Sequence, residues 1–167
     1  MNPLRDRTLN ADTQRHFRDA LGRFATGVTI VTAMTENGPI GMTANSFSSV
    51  SMDPPLVLWC PAKTSSRYSH FMQARHFAIH VMGAEHETLA MAFAKSGAAF
   101  AGYDMHYNTH GVPVLNDCLA RFECETHQIH DAGDHSIVLG RVETAAFRDG
   151  EALVFSQGQF RQFDKKA

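Results

Sequence analysis

GMTANSFSSVSMDPPLVLWC, residues 41–60, decides how the rest of the chain is read. Its first part crowds Ser and Thr hydroxyls and the Asn45 amide into one segment that ends on Asp53, Pro54 and Pro55. Small donors at that density suit a loop or strand edge that wraps an anion. Hydroxyls and exposed backbone N–H groups reach a phosphate without a bulky side chain in the way. An ordinary solvated Ser/Thr loop has the same composition, and turn chemistry alone does not separate the two. Its last part, residues 56–60, is an uninterrupted apolar run, as expected for a strand at the buried centre of a β domain.

Working outward, residues 28–34 (VTIVTAM) are strand-like, and residues 36–39 supply a turn into the Ser/Thr-rich segment. Upstream, Phe17, Ala20, Leu21 and Phe24 recur at helical spacing behind a cap at Asp12 or Thr13, which predicts an amphipathic helix that packs on the core. Residues 1–12 read as a flexible N-terminal extension. Downstream, helices are predicted over 65–74, capped by Thr64 or Ser65, and over 85–95, with Leu89, Ala92 and Phe93 inward. Residues 76–82 alternate as a strand between them, and residues 96–116 read as an exposed polar excursion. Strands return over 120–130, 136–147, 152–155 and 158–163. Strands outnumber helices, and several are joined by turns short enough for antiparallel pairing. The expectation is one domain over residues 1–167, an antiparallel barrel with a few peripheral helices. Neither G-x-G-x-x-G nor G-x-x-x-x-G-K-[ST] occurs, which argues against a doubly wound nucleotide fold.

Composition narrows the function further. The chain's 167 residues suffice for one sizeable core, and 15 Lys plus Arg against 17 Asp plus Glu leave no basic field for nucleic acid. No apolar run approaches the roughly 20 residues of a membrane helix, and the N-terminus lacks the apolar core of a signal peptide. A soluble, cytoplasmic protein is expected. Cys60, Cys118 and Cys124 form no C-x-x-C pair and are odd in number, so they read as buried, reduced thiols rather than a disulfide framework or a zinc site. His106 and His110 have a spacing that would share a helix face. However, Tyr107, Asn108, Thr109 and Gly111 read as loop and no carboxylate stands between the two histidines, so no metal is expected.

Four pieces occur in order: RFATGVTIVTA at 23–33, the opening segment at 41–60, KTSS at 63–66 and GDH at 133–135. Together they resemble the flavin reductase family, small flavin:NAD(P)H oxidoreductases with the FMN-binding split-barrel fold, many of which supply reduced flavin to a separate monooxygenase. The resemblance extends from about Phe17 to Phe163. It implies hydride transfer from NADH or NADPH to FMN, with FAD as the alternative, in a homodimer that serves a monooxygenase component. Two other readings stay open. One is a tightly bound flavin whose electrons go to another acceptor; the other is a flavin-binding protein without reductase activity.

On this resemblance Thr43, Ala44, Asn45 and Ser46 lie along the flavin ring, mainly through backbone groups, and Ser49 lies near the ribityl or phosphate part. Cys60, Ala62, Lys63, Ser65 and Ser66 continue the pocket, with the hydroxyls and the start of the following helix facing the phosphate. Lys63 or Arg67 would add charge, and Ser65 reads equally as a plain helix cap. Phe93 is a flavin contact by resemblance and plain core by its helical spacing. His135 is the residue for the nicotinamide side, although the Gly-Asp before it is also ordinary turn chemistry. Hydride transfer depends mainly on proximity and on N–H groups that stabilise the reduced flavin's charge, so no triad or carboxylate pair is required and none is visible. Residues 100–112 match no family pattern, which leaves the substrate side and the choice of nicotinamide open.

Overall fold

The computed structural model describes residues 4–162. Twelve strands are present among them: β1 (Thr26–Gly27), β2 (Thr29–Thr35), β3 (Gly38–Ala44), β4 (Ser48–Met52), β5 (Pro55–Trp59), β6 (His76–Val81), β7 (Met105–Tyr107), β8 (Pro113–Leu115), β9 (Ala120–Ala132), β10 (His135–Phe147), β11 (Val154–Ser156) and β12 (Gln159–Arg161). The helices are α1 (Gln14–Leu21), α2 (Tyr68–Gln73) and α3 (Glu87–Lys95). Seven strands form an antiparallel sheet in the order β3-β2-β6-β9-β10-β5-β4; β1-β11-β12 and β7-β8 form two smaller sheets.

The two edge strands of the large sheet, β3 and β4, are consecutive in sequence and joined only by residues 45–47. That connection reaches at most roughly 14 Å from Ala44 to Ser48, so the edges end close together and the sheet has to curl. Among the described residues β3 and β4 do not pair, and the barrel stays split. Bulges at Leu139/Gly140 and Val142/Thr144 help bend the long strand β10. Gly140 is needed there, since a Cβ would stand 2.6 Å from the Phe77 ring.

Alternation along β2 sends its side chains into two cores. Val31 and Ala33 join Trp59, Phe77, Ile79 and Val138 in the barrel interior, which Phe71 of α2 closes edge-on against Trp59 with ring centroids 5.0 Å apart. Ile30 joins Met82, Leu89, Phe93 and Leu115 in a second cluster that includes α3 residues. The β7-β8 ribbon is tied to the sheet by polar groups. Thr32 Oγ1 donates to Pro113 O, and fully buried His80 accepts from Leu115 N–H on Nε2 (3.1 Å) with Nδ1 2.9 Å from Ile30 O. The Nε2 acceptor role fixes the neutral tautomer with the proton on Nδ1, and burial pushes the imidazole pKa down to about 4.

Several local expectations are corrected. Asn10, not Asp12 or Thr13, caps the N-terminal helical segment: its Oδ1 accepts from Asp12 N–H at the start of a 3-10 turn that runs into α1. No residue of α1 is buried, and Phe17, Leu21 and Phe24 are 47%, 58% and 78% exposed, so among the described residues this helix does not pack as an amphipathic element. The helix expected over 65–74 begins only at Tyr68, because residues 62–68 first form turns closed by Ser65 N–H to Ala62 O and Tyr68 N–H to Ser65 O. In α3 the buried residues are Leu89, Ala90 and Phe93, with Ala92 half-buried. The excursion at 96–116 carries β7 and β8, and Val112, Val114 and Leu115 within it are buried. Cys118 and Cys124 are buried free thiols, whereas Cys60 is half-buried. Burial, with Glu143 and Glu123 nearby, pushes the Cys124 thiol up to about 12. Residues 1–3 of the expected extension and Phe163 of the expected last strand lie outside the described residues.

Candidate functional site

β3 pairs with β2 on one side only, and its other edge faces α3 and the cleft beyond it. Gly41 N–H bonds outward to Gly97 O (2.8 Å), and Gly41 O accepts outward from Arg67 Nη1 (3.1 Å). By the two-residue alternation of a strand, the N–H and C=O of Thr43 point outward as well. Just past them, Thr43, Ala44 and Asn45 line a cavity of about 610 Å³, together with Met91, Phe155 and Phe160. A second cavity of about 560 Å³, bordered by Arg18, Arg23 and Phe24, shares Asn45, Phe155 and Gly158 with the first, so the two make one cleft.

The remaining sequence-nominated residues form a rim continuous with Asn45. Ser46 Oγ accepts from Cys60 N–H (2.9 Å) and donates to Cys60 O (3.2 Å), which pins the β3–β4 connection to the end of β5. Ala62 forms a bridge with His135, and Ser136 N–H donates to Pro61 O (3.1 Å), so the loop after β5 is sewn to the tip of the β9-β10 hairpin. That tip is a two-residue loop, since Ala132 pairs with His135. Gly133 sits at φ +70 and Asp134 is not in the positive-φ region, as a type II′ turn demands. Lys63 Nζ donates to Gly133 O (2.7 Å) and pairs with Asp131, holding its carboxyl below the usual range. Asp134 Oδ1 lies 2.7 Å from His135 Nδ1, which lowers the Asp134 pKa and leaves the half-exposed imidazole presenting Nε2.

Hydroxyl bookkeeping separates structural residues from ones free to bind. Thr43 Oγ1 donates to Ala90 O and Ser46 Oγ to Cys60 O, so neither has an O–H left for a phosphate, which accepts only. Ser65 Oγ accepts from Arg67 N–H (3.2 Å) and keeps its O–H. Ser49 and Ser66 are exposed, and among the described residues their hydroxyls make no hydrogen bond. Cys60 is half-buried, and burial raises its pKa, so it stays a thiol. Three expectations change in detail. The six-residue α2 starts too late for its N-terminus to carry the KTSS hydroxyls, and Ser65 caps a turn instead. Arg67 is committed elsewhere: its guanidinium donates to Phe93 O (2.6 Å) and Ala94 O (3.1 Å) in the last turn of α3, where cations favour the helix C-terminus. Phe93 has no exposed surface; it lies in the core, edge-on to Phe100 (centroids 4.8 Å apart) and over Gly41, where a Cβ would stand 2.4 Å from its ring.

Sequence reasoning missed the aromatic wall of the cleft. Phe155 and Phe160 face each other across β11 and β12, with rings 5.5 Å apart, over a two-residue loop of Gln157 (φ +51) and Gly158 (φ +78). Gly158 between two short strands, each carrying one Phe, was the signal that could have placed them. The observed features fit a flavin: outward backbone polar groups for a ring's polar edge, an apolar aromatic wall for its face, a cavity in the usual cofactor range, and free O–H donors along the adjoining rim.

Comparison with known proteins agrees. Residues 21–164 match the flavin reductase like domain. The chain is 56% identical over 155 residues to the FMN reductase (NADH) SmoA of Agrobacterium fabrum, covering 93% of this chain and 89% of that protein. It is 42% identical to the reductase component of the flavin-dependent trigonelline monooxygenase of Acinetobacter baylyi, covering 87% of this chain but only 48% of that longer protein. Among solved structures, the NADH:FAD oxidoreductase SgcE6 of Streptomyces globisporus superimposes with a TM-score of 0.89 at 36% identity, covering 98% of this chain and 100% of that one. That protein has also been solved with NAD and FAD fragments. With this match over most of its length, and with the split barrel and cleft described above, the chain belongs to the flavin reductase like domain family.

Proposed function

We propose that this protein transfers hydride from NADH to FMN and releases reduced flavin to a monooxygenase component. The observation that carries the reading is the cleft at Asn45, where the outward backbone of β3 meets the Phe155 and Phe160 wall. The free hydroxyls of Ser49, Ser65 and Ser66 stand on the rim that continues from it. In this reading Thr43, Ala44, Asn45 and Ser46 hold the ring through main-chain groups, with Cys60 and Ala62 shaping the wall. Lys63 acts by fixing the hairpin tip rather than by meeting phosphate. A bound flavin supplies the hydride acceptor; the chain positions both partners and keeps His135 Nε2 available to the nicotinamide side. FMN and NADH are favoured because the 56% identical relative is named for that pair, and the monooxygenase role because the A. baylyi relative is named as a reductase component.

The same reading takes residues 1–167 as one domain, working as a homodimer in the cytoplasm; the expected flexible extension is not kept over residues 10–12, because Asn10 caps the 3-10 turn that runs into α1. Exposed Phe17, Leu21 and Phe24 support the dimer, because α1 and the segment after it border the second cavity with an apolar surface that none of the described residues covers. Among the described residues no helix is long and apolar enough to cross a membrane. Anaerobic mixing of the FMN-supplemented protein with NADH or NADPH tests the function. Loss of oxidised-flavin absorbance, faster with NADH than with NADPH and absent without protein, is the expected outcome. Retained absorbance with both, despite bound FMN, would leave a passive flavin binder.

A further inference from the structure

On the flank of the sheet beneath the β7-β8 ribbon, three metal-ligating side chains from three elements converge. His76 opens β6, His110 sits in the turn between β7 and β8, and Glu143 stands at the second bulge of β10. One ligand atom from each lies within 4.8 Å of the others. We propose that His76, His110 and Glu143 form a binding site for a divalent first-row transition metal such as Zn²⁺, separate from the flavin cleft.

Each ligand is placed by the fold. Glu143 is the extra residue between Val142, which pairs with Cys124, and Thr144, which pairs with Glu123; a bulge redirects such a side chain out of the ladder. The His110 turn is held by Asn108, whose Oδ1 accepts from His110 N–H (3.0 Å) and Val112 N–H (2.9 Å) while its Nδ2 donates to Glu123 (2.7 Å). His110 Nε2 stands 3.2 Å from Glu143 Oε2, close to the roughly 3.3 Å edge of a tetrahedron built on usual Zn–N and Zn–O lengths. The His76 and His110 rings stack at 3.9 Å and 6°. Lone pairs in parallel rings do not converge, so one imidazole must turn about its side-chain torsions, and His110, 40% exposed, has room to do so. Two imidazoles and a carboxylate leave a fourth position for water.

Tautomers distinguish this group from the other one of its kind among the described residues. At Glu85, His86 and Asp117, Gly83 N–H donates to His86 Nδ1 (3.0 Å), so the ring proton sits on Nε2, the nitrogen that faces Asp117. Arg148 already bridges Glu85 and Asp117, and the His86 nitrogen that faces Asp117 offers no lone pair to a metal. Among the described residues neither His76 nor His110 receives a backbone N–H on a ring nitrogen. His106, the partner that sequence spacing suggested for His110, is instead bound to Asn116 (2.6 Å). The site is also remote from the cleft. On β6, His76 lies at the end opposite Val81, which pairs with Thr29 beside Ala44, roughly 17 Å along the strand.

The test uses metal-free full-length protein, Zn²⁺ in competition with a chromophoric chelator, and Co²⁺ as a spectroscopic probe. The proposal expects uptake of a single equivalent and a cobalt spectrum without thiolate charge-transfer bands. His110→Ala and Glu143→Gln should each weaken Zn²⁺ binding by no less than about ten-fold, while His106→Ala leaves it unchanged. FMN affinity and far-UV dichroism report whether the variants are folded. No uptake at micromolar Zn²⁺, equal affinity in His110→Ala and Glu143→Gln, or thiolate-to-cobalt bands would overturn the assignment.

Discussion

On the cleft rim, the hydroxyls nearest the proposed ring site are committed to the fold: Thr43 holds Ala90 O and Ser46 holds both backbone groups of Cys60. On the flank beneath the β7-β8 ribbon, His80 is committed in the same way, with one nitrogen on Ile30 O and the other on Leu115 N–H. Four residues away on the same face of β6, His76 has a ring stacked on His110 and no such tether. The comparison teaches that residue type does not decide whether a polar group is structural or functional. What decides is whether its donor and acceptor atoms are already used.

The largest effects should fall on the committed groups of the flank. His80→Ala strands Leu115 N–H in a fully buried place, takes the side-chain donor from Ile30 O and opens a cavity, so urea denaturation should show a loss of about 3–5 kcal/mol. A loss below 1 kcal/mol would show that the ribbon does not depend on His80.

The same residue predicts a pH dependence. Its folded pKa, about 4, lies below the ordinary value of 6.5, so the unfolded chain binds the proton more readily. This contribution is complete above pH 6.5 and is lost as pH falls toward 4, amounting to about 3 kcal/mol. Denaturation midpoints across that range, in wild type and in His80→Ala, would break the comparison if their slopes were equal.

On the rim, Ser65→Ala removes an O–H that the fold leaves free, and FMN affinity should drop roughly ten- to hundred-fold, or about 1.5–3 kcal/mol. Unchanged flavin affinity would confine Ser65 to its turn. His135→Ala should raise the apparent KM for NADH by about ten-fold while flavin binding holds, as expected for loss of one neutral hydrogen bond at Nε2. Equal NADH saturation in both proteins would remove His135 from the site. Thr43→Val is the smallest effect and the sharpest control. It should cost about 1 kcal/mol of stability through Ala90 O and leave FMN affinity within about three-fold, because in the proposed site the ring meets only main chain there.

The architecture was legible where pattern and burial agree. Residues 28–34 and 56–60 alternate or run apolar as β2 and β5 require, and the GDH turn falls where Gly133 needs a positive φ. Local propensity misled where long-range partners decide. Asn10 outcompeted Asp12 as a cap, Arg67 was drawn to the α3 carbonyls rather than to phosphate, and Phe93 filled the space left by Gly41. The stretch at 96–116 looked exposed because polar residues and glycines interrupt its apolar ones throughout. Its apolar residues dock: Val112, Val114 and Leu115 are buried, and Phe100 and Met105 pack against the second core cluster. The positions proposed for the site, 43–46, 60–66 and 133–135, come from the sequence, but which of their atoms are free was not legible there, since that depends on Ala90, Cys60 and Arg67 from other elements.

Hydrogen–deuterium exchange with and without saturating FMN tests the central claim most directly, because it reads main-chain groups at both regions in one experiment. The account predicts added protection in peptides covering residues 41–49, 60–66 and 155–160, and no change at 76, 110 and 143. Protection confined to the β7-β8 flank, or none at 41–49, would contradict it.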